Sequence, residues 1–167
     1  MPGFQLHALD ESRFAPLFAL DDAALAALGA RRVTADAMPG FPCRIGLADA
    51  DVGEELLLLP FEHQPAASPF RASGPIYVRK GARRRTPAPG EVPDYVGCRL
   101  ISVRAFDAGH CIVAATVTPG ADIAPVLDRL LADDQVAYLH LHHAARGCFL
   151  CRVDRAIQTG TGVINPD

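Results

Sequence analysis

Nothing in this 167-residue chain approaches the ~20 uninterrupted apolar residues that a membrane helix needs. The longest apolar run, Leu56 to Phe61, suits a buried strand instead, so no membrane association is expected. The N-terminus lacks a basic segment followed by an apolar block and a small-residue cleavage site, which argues against export and for a cytoplasmic protein. A disulfide framework is also missing. Five cysteines are an odd, scattered set in a chain too large to depend on cross-links, and free thiols are expected. The formal net charge of -3 gives no positive excess for phosphate backbones, so no nucleic-acid partner is expected. No internal repeat is visible. The motifs HExxH, GxGxxG, GxxxxGK and GxSxG are absent, and their absence removes zincins, dinucleotide folds, P-loop enzymes and serine hydrolases of the elbow type. The sequence therefore names no reaction and no cofactor.

What is present is an ordinary globular composition, 50% hydrophobic and 21% charged, in a length suited to one domain covering residues 1–167. Charge is unevenly placed: Arg71 to Arg85 holds six basic residues and no acid, and Asp49 to Glu55 holds four acids and no base. The first thirty residues read as two short helices, with Phe14, Leu17 and Phe18 on one face, then Leu25 and Leu28 after an Asp21-Asp22 cap, ending at Gly29. Strands are expected at Arg31 to Ala35, Cys43 to Leu47, Glu55 to Leu59 and Ile76 to Arg79. A long four-proline loop is expected over Pro60 to Pro75. Gly81 to Pro93 reads as a second loop, with residues 82–93 exposed, basic and proline-rich.

The second half is more regular. Cys98 to Phe106 and Cys111 to Val117 predict a hairpin in which Gly109 supplies a positive backbone angle. Ile123, Val126, Leu127, Leu130 and Leu131 make one helical stripe, predicting a helix over about 122–133 capped by Asp122. Strands at Val136 to His142 and Cys148 to Val153 follow. The strand-helix-strand order predicts an α+β fold: a mixed, mainly antiparallel sheet, one crossover helix and short N-terminal helices.

Two clusters could carry chemistry. Alternation along Tyr138-Leu139-His140-Leu141-His142 puts Tyr138, His140 and His142 on one strand face, with backbone spacing of about 6.6–6.8 Å between neighbours. That spacing suits a metal ion as well as two hydrogen-bonded surface histidines. A third metal ligand would be His63, with Glu62 and Cys43 ranked behind it. The second cluster, Glu62, His63, Arg71, Ser73 and Arg79, gathers an acid, an imidazole, hydroxyl and guanidinium groups. Arginine grips carboxylate or phosphate in two places, so Arg71, Ser73, Arg79 and His140 would hold a small anionic molecule while His63 and His142 act as acid or base. The bland alternative pairs Arg71 and Arg79 with the acids around Asp51 and Glu54. Cys148 and Cys151, three apart on a strand, face opposite ways and would not share an ion.

The motifs Pro42-Cys43-Arg44, Gly53-Glu54, Glu62-His63-Gln64-Pro65, Ser68-Pro69-Phe70-Arg71-Ala72-Ser73-Gly74-Pro75-Ile76, Val103-Arg104-Ala105-Phe106-Asp107 and Tyr138-Leu139-His140-Leu141-His142 occur in order. Together they resemble the bacterial family of uncharacterised proteins DUF1203, from about Phe41 to Val153 and excluding Ala82 to Pro93. The resemblance implies a bacterial cytoplasmic protein and brings no activity, cofactor or catalytic residue with it. Three functional readings follow: a small anionic-ligand-binding protein or enzyme with a His/Arg pocket, a non-catalytic binding or assembly module acting as a homodimer, and a His-ligated metal site.

Overall fold

The computed structural model describes residues 3–157. Its strands are β1 (Phe4–His7), β2 (Arg31–Thr34), β3 (Pro42–Cys43), β4 (Ala48–Asp49), β5 (Glu55–Gln64), β6 (Ala72–Arg79), β7 (Leu100–Phe106), β8 (Ile112–Pro119), β9 (Tyr138–His143) and β10 (Phe149–Arg155). The helices are α1 (Asp22–Ala27), α2 (Asp94–Gly97) and α3 (Ile123–Leu131). The α+β class is as the sequence predicts. The strands divide between two five-stranded sheets, in the orders β1-β10-β9-β7-β8 and β2-β5-β6-β3-β4. All pairings are antiparallel except one parallel contact between β3 and β6.

In the first sheet β8 and β9 both run antiparallel to β7, one on each side, so they are parallel to each other. Parallel strands need a crossover, and α3 supplies it. Ile123, Leu127 and Leu131 form its buried stripe against Leu139, Leu141 and Val153. Burying each such side chain contributes about 1.5–3 kcal/mol, enough to hold a nine-residue helix that would not persist alone. Asp122 makes no side-chain cap bond, contrary to expectation, because a 3-10 turn at Gly120–Asp122 leads into the helix. Asp21 does cap α1, accepting from Ala24 N at 2.8 Å.

The proline-rich stretch is not a 16-residue loop. β5 runs through Pro60 to Gln64, and the connection to β6 is only Pro65 to Arg71. Pro60 lies opposite Pro75 in the β5–β6 ladder. β2 pairs with β5 only as far as Leu58, and β3 meets β6 at Tyr77, so neither proline is asked for its missing N–H. Residues 82–93 also differ from expectation. Arg83 and Arg84 are exposed, yet Ala82, Pro87 and Pro93 are buried, Arg85 N donates to Ile45 O at 3.0 Å and Gly90 N donates to Phe4 O at 2.9 Å. At the β7–β8 turn the positive φ belongs to His110, at 63°, and not to Gly109.

A second apolar cluster joins Phe14 and Leu25 of the N-terminal segment to Leu57, Leu59, Phe61 and Ile76 of the second sheet, and it includes Phe149 from β10. Phe149 is thus a point where the two sheets meet. Another link is polar: Arg99, whose side chain is 8% exposed, donates to both carboxylate oxygens of Asp49, whose side chain is 5% exposed. Removing one partner strands a buried charge. Asp49→Ala is expected to lose about 3–5 kcal/mol of unfolding free energy in a urea titration; a loss below ~1 kcal/mol would show that the pair is not essential to the packing.

Candidate functional site

Two β-bulges set the geometry. In β5 the register moves from Phe61 opposite Gly74 to Gln64 opposite Ala72, so Glu62 and His63 together face one partner residue. A bulge re-aims side chains, and here it turns His63 toward β9. In β10 the register moves from Phe149 opposite His142 to Cys151 opposite Leu141. Leu150 and Cys151 consequently both join the core beneath α3, and Phe149 turns to the histidine face.

The result is a triangle of imidazoles around one phenyl ring. His63 lies 5.0 Å from His142 and 6.2 Å from His140 by ring centroid, and His140 lies 6.1 Å from His142. Phe149 stacks on His63 at 5.3 Å and meets His140 and His142 edge-on at 5.1 and 5.7 Å. The expected alternation on β9 is observed, with Leu139 and Leu141 in the core and His140 and His142 on the other face. The histidines are far from solvated surface residues: His140 is 3% exposed and His142 is 1% exposed.

His142 donates from Nδ1 to Gly147 O at 2.8 Å, which leaves its Nε2 as a bare lone pair. Gly147 can present that carbonyl because its φ is +77°, a conformation glycine adopts without strain. His142 Nε2, His63 Nδ1 and His140 Nδ1 are buried with no hydrogen-bond partner. Burial pushes His140 and His142 down to about 3, with His142, His63 and nearby guanidinium groups adding to the effect at His140 and Arg104 adding to it at His142. His63 is lowered by burial and then by Arg104. Arg104 stands opposite His140 on β7, with no carboxylate within 4.0 Å of its guanidinium among the described residues. The imidazoles are therefore neutral at physiological pH.

A cavity of about 550 Å³ opens over this cluster, lined by Arg13, Glu62, His63, His110, Tyr138 and His140, with Phe149 and Arg152 also in its wall. Gln64 Nε2 donates to the Tyr138 hydroxyl at 2.8 Å, and the same hydroxyl lies 2.8 Å from His110 Nδ1. Arg152 covers the Tyr138 ring at 4.0 Å and is tied to Asp154. Arg13 lies over Phe61 at 5.0 Å and makes no ion pair among the described residues.

His63, His140 and His142 are thus brought together as the sequence reading required. The arginines and serine assigned to the same pocket are not. Arg71 binds Glu62 at 2.5 Å on the rim, and Arg79 binds Glu54 at 2.8 Å and lines a different depression. Ser73 lines a third hollow beside Gly29 and Pro60. The physical reason is local: each guanidinium finds an acid on its own or the adjoining strand segment. Arg13, His110 and Arg152 occupy the positions that Arg71, Ser73 and Arg79 were expected to fill. Cys148 lies before β10 in the wall of a separate cavity and Cys151 lies in the core, and all five cysteines are free.

Residues 40–155 match the model of the family described as "Protein of unknown function (DUF1203)". The chain belongs to the DUF1203 family. No curated protein and no solved structure matches it. In this DUF1203 protein, both bulges and the whole imidazole triangle fall inside the matched segment, whereas Arg13 falls outside it.

The lowered histidines impose a pH dependence of known sign. Between the ordinary value of 6.5 and about 3, the unfolded chain takes up protons that the folded chain excludes, so stability falls as pH falls. Each of the two buried rings withdraws ~1.4 kcal/mol per pH unit inside that window. His140→Phe, in an aromatic surrounding, should reduce the slope of unfolding free energy against pH by about one proton's worth and be no less stable than the parent at neutral pH. An unchanged slope in denaturant titrations across that window would show that His140 is not held neutral.

Proposed function

We propose that this protein binds a small anionic molecule in the cavity between the β5 bulge and β9, and that His63 and His140 exchange a proton with it. The observation that carries this reading is the set of three buried imidazole nitrogens with no partner, flanked by the unpaired cations Arg13 and Arg104. A buried nitrogen without a hydrogen bond costs about 1–3 kcal/mol, a cost that a bound molecule removes by supplying the missing donor or acceptor. An anion seated at Arg13 would also place negative charge beside neutral rings. That charge raises their proton affinity, so the ligand arrives with a proton taken up by an imidazole, which can then be handed on as general acid. His142, one layer behind, acts through the other two.

Three imidazoles also suit a transition metal. Among the described residues, however, no group of three or more His, Cys, Asp or Glu is placed to hold one, which leaves the metal reading without geometric support. The assembly reading has one observation in its favour: Leu100, Val113 and Val117 are exposed together on the outer face of β7 and edge strand β8. A homodimer through that face would give a sedimentation coefficient that drops to the monomer value in Val117→Lys. Free thiols at all five cysteines support a reducing, cytoplasmic setting, and no described helix is long and apolar enough to cross a membrane.

The test of the main reading uses inorganic phosphate and malonate as probes, followed by the imidazole ¹⁵N resonances of His63 and His140. Binding should move both, with proton uptake seen as a buffer-dependent calorimetric enthalpy, and Arg13→Gln should weaken it roughly tenfold or more, the scale of one charge-assisted hydrogen bond. If neither probe moves these resonances at ~10 mM, far above any functional affinity, the cavity is not an anion site.

A further inference from the structure

A second cavity, of about 460 Å³, lies on the other side of Phe149 from the imidazole cluster, and no acidic side chain lines it. Its walls include Arg44, Arg99, Arg146, Leu58, Tyr77 and Leu150. Arg44 is 2% exposed. Its Nε donates to Phe149 O at 2.8 Å and its Nη1 to Pro42 O at 2.5 Å, and Nη2 has no hydrogen bond among the described residues. No carboxylate lies within 4.0 Å of this guanidinium among the described residues. Arg99 differs, since Asp49 takes its charge. Arg146 is exposed and makes no ion pair among the described residues.

An isolated buried charge is costly, and an arginine cannot relieve that cost by losing its proton. The two carbonyls satisfy geometry but carry no full negative charge. The missing partner is an anion, and the free Nη2 together with Arg146 marks where it would sit. The rest of the wall combines an apolar stretch, Leu58, Tyr77, Leu150 and the prolines Pro39, Pro42 and Pro75, with His143 and the thiols of Cys98 and Cys148. A cationic end and an apolar body of this size fit an amphipathic ligand of small-molecule dimensions.

We infer that this cavity is a binding site for a small organic acid with one anionic head and an apolar body, the head held by Arg44 and Arg146 and the body against Leu58, Tyr77 and Leu150. The site is separate from the imidazole cavity and does not depend on the reading of that cavity.

Benzoate is the probe, with the methyl resonances of Leu58 and Leu150 as the readout in the full-length protein. Wild type should show saturable shifts at both residues, and benzyl alcohol, which has the body without the charge, should bind at least roughly tenfold more weakly. Arg44→Lys keeps a cation but loses the planar fork, and binding should fall at least roughly tenfold. Arg146→Gln, at an exposed position that leaves folding intact, should weaken benzoate severalfold. Arg83→Gln, an exposed substitution that lines neither of these two cavities, should leave the affinity unchanged. Absence of saturable shifts in wild type overturns the inference, as does equal binding of benzyl alcohol or an Arg146→Gln variant that binds like the parent. Benzoate shifts confined to His63 and His140 would overturn it while supporting the imidazole cavity, so the two sites fail separately.

Discussion

The structure depends on a layer of basic nitrogen buried without acid. By whole-residue exposure the buried polar residues are Arg44, Gln64, Thr118, His140 and His142, and the nearly buried carboxylate of Asp49 is taken by Arg99. In a chain whose formal charge is -3, this inverts the surface balance at the point where the two sheets meet. The arrangement is held by Phe149, whose ring packs against all three imidazoles and whose carbonyl accepts from Arg44. One residue thereby fixes the aromatic contacts on one side and the guanidinium on the other. Desolvation does the rest, keeping the imidazoles of His140 and His142 neutral.

That layer exists because two strands break their own alternation. Without the β10 bulge, Phe149 would share the face of Cys151 and Val153 and enter the core under α3. Without the β5 bulge, the residues after Phe61 would keep a register set by β6 rather than by the cavity. Each bulge gives up ladder regularity for an aimed side chain, and the apolar packing of Leu57, Leu59 and Ile76 on one sheet and of Leu139, Leu141 and Val153 on the other holds the distortion in place.

Period-two alternation made the β9 histidine face readable from the chain, since Leu139 and Leu141 need the core and the histidines must then turn away. The α3 stripe was readable for the same reason at a different period. A bulge has no such signature, so Phe149 passed unnoticed and His63 was reachable only as an unusual residue type beside prolines. Those prolines suggested a loop because the rule against them in strands concerns missing N–H groups, and the sequence does not show that β2 and β3 fall short of Pro60 and Pro75. Arg13 and His110 are drawn in from distant segments by long-range packing and by a left-handed turn at His110, neither of which leaves a local pattern. The basic run Arg71 to Lys80 misled in the opposite direction, because its charges are spent on Glu62, Glu54 and Glu55 nearby.

The molecule also provides its own comparison for deciding which arginines are structural. Arg99 is nearly buried and grips a nearly buried Asp49, while Arg32, Arg79 and Arg85 reach Glu55, Glu54 and Glu91 where solvent already screens them. An interior guanidinium serving only to join two segments is best stabilised by an acid, and Arg99 shows that this fold can place one. Arg44 is more deeply buried and has only carbonyl oxygens. The same contrast holds among the imidazoles, where His142 has one nitrogen satisfied by Gly147 and the other left bare. Packing alone would favour an apolar ring in place of His142, and the proposed binding of an anion in each cavity accounts for the polarity on both sides of Phe149.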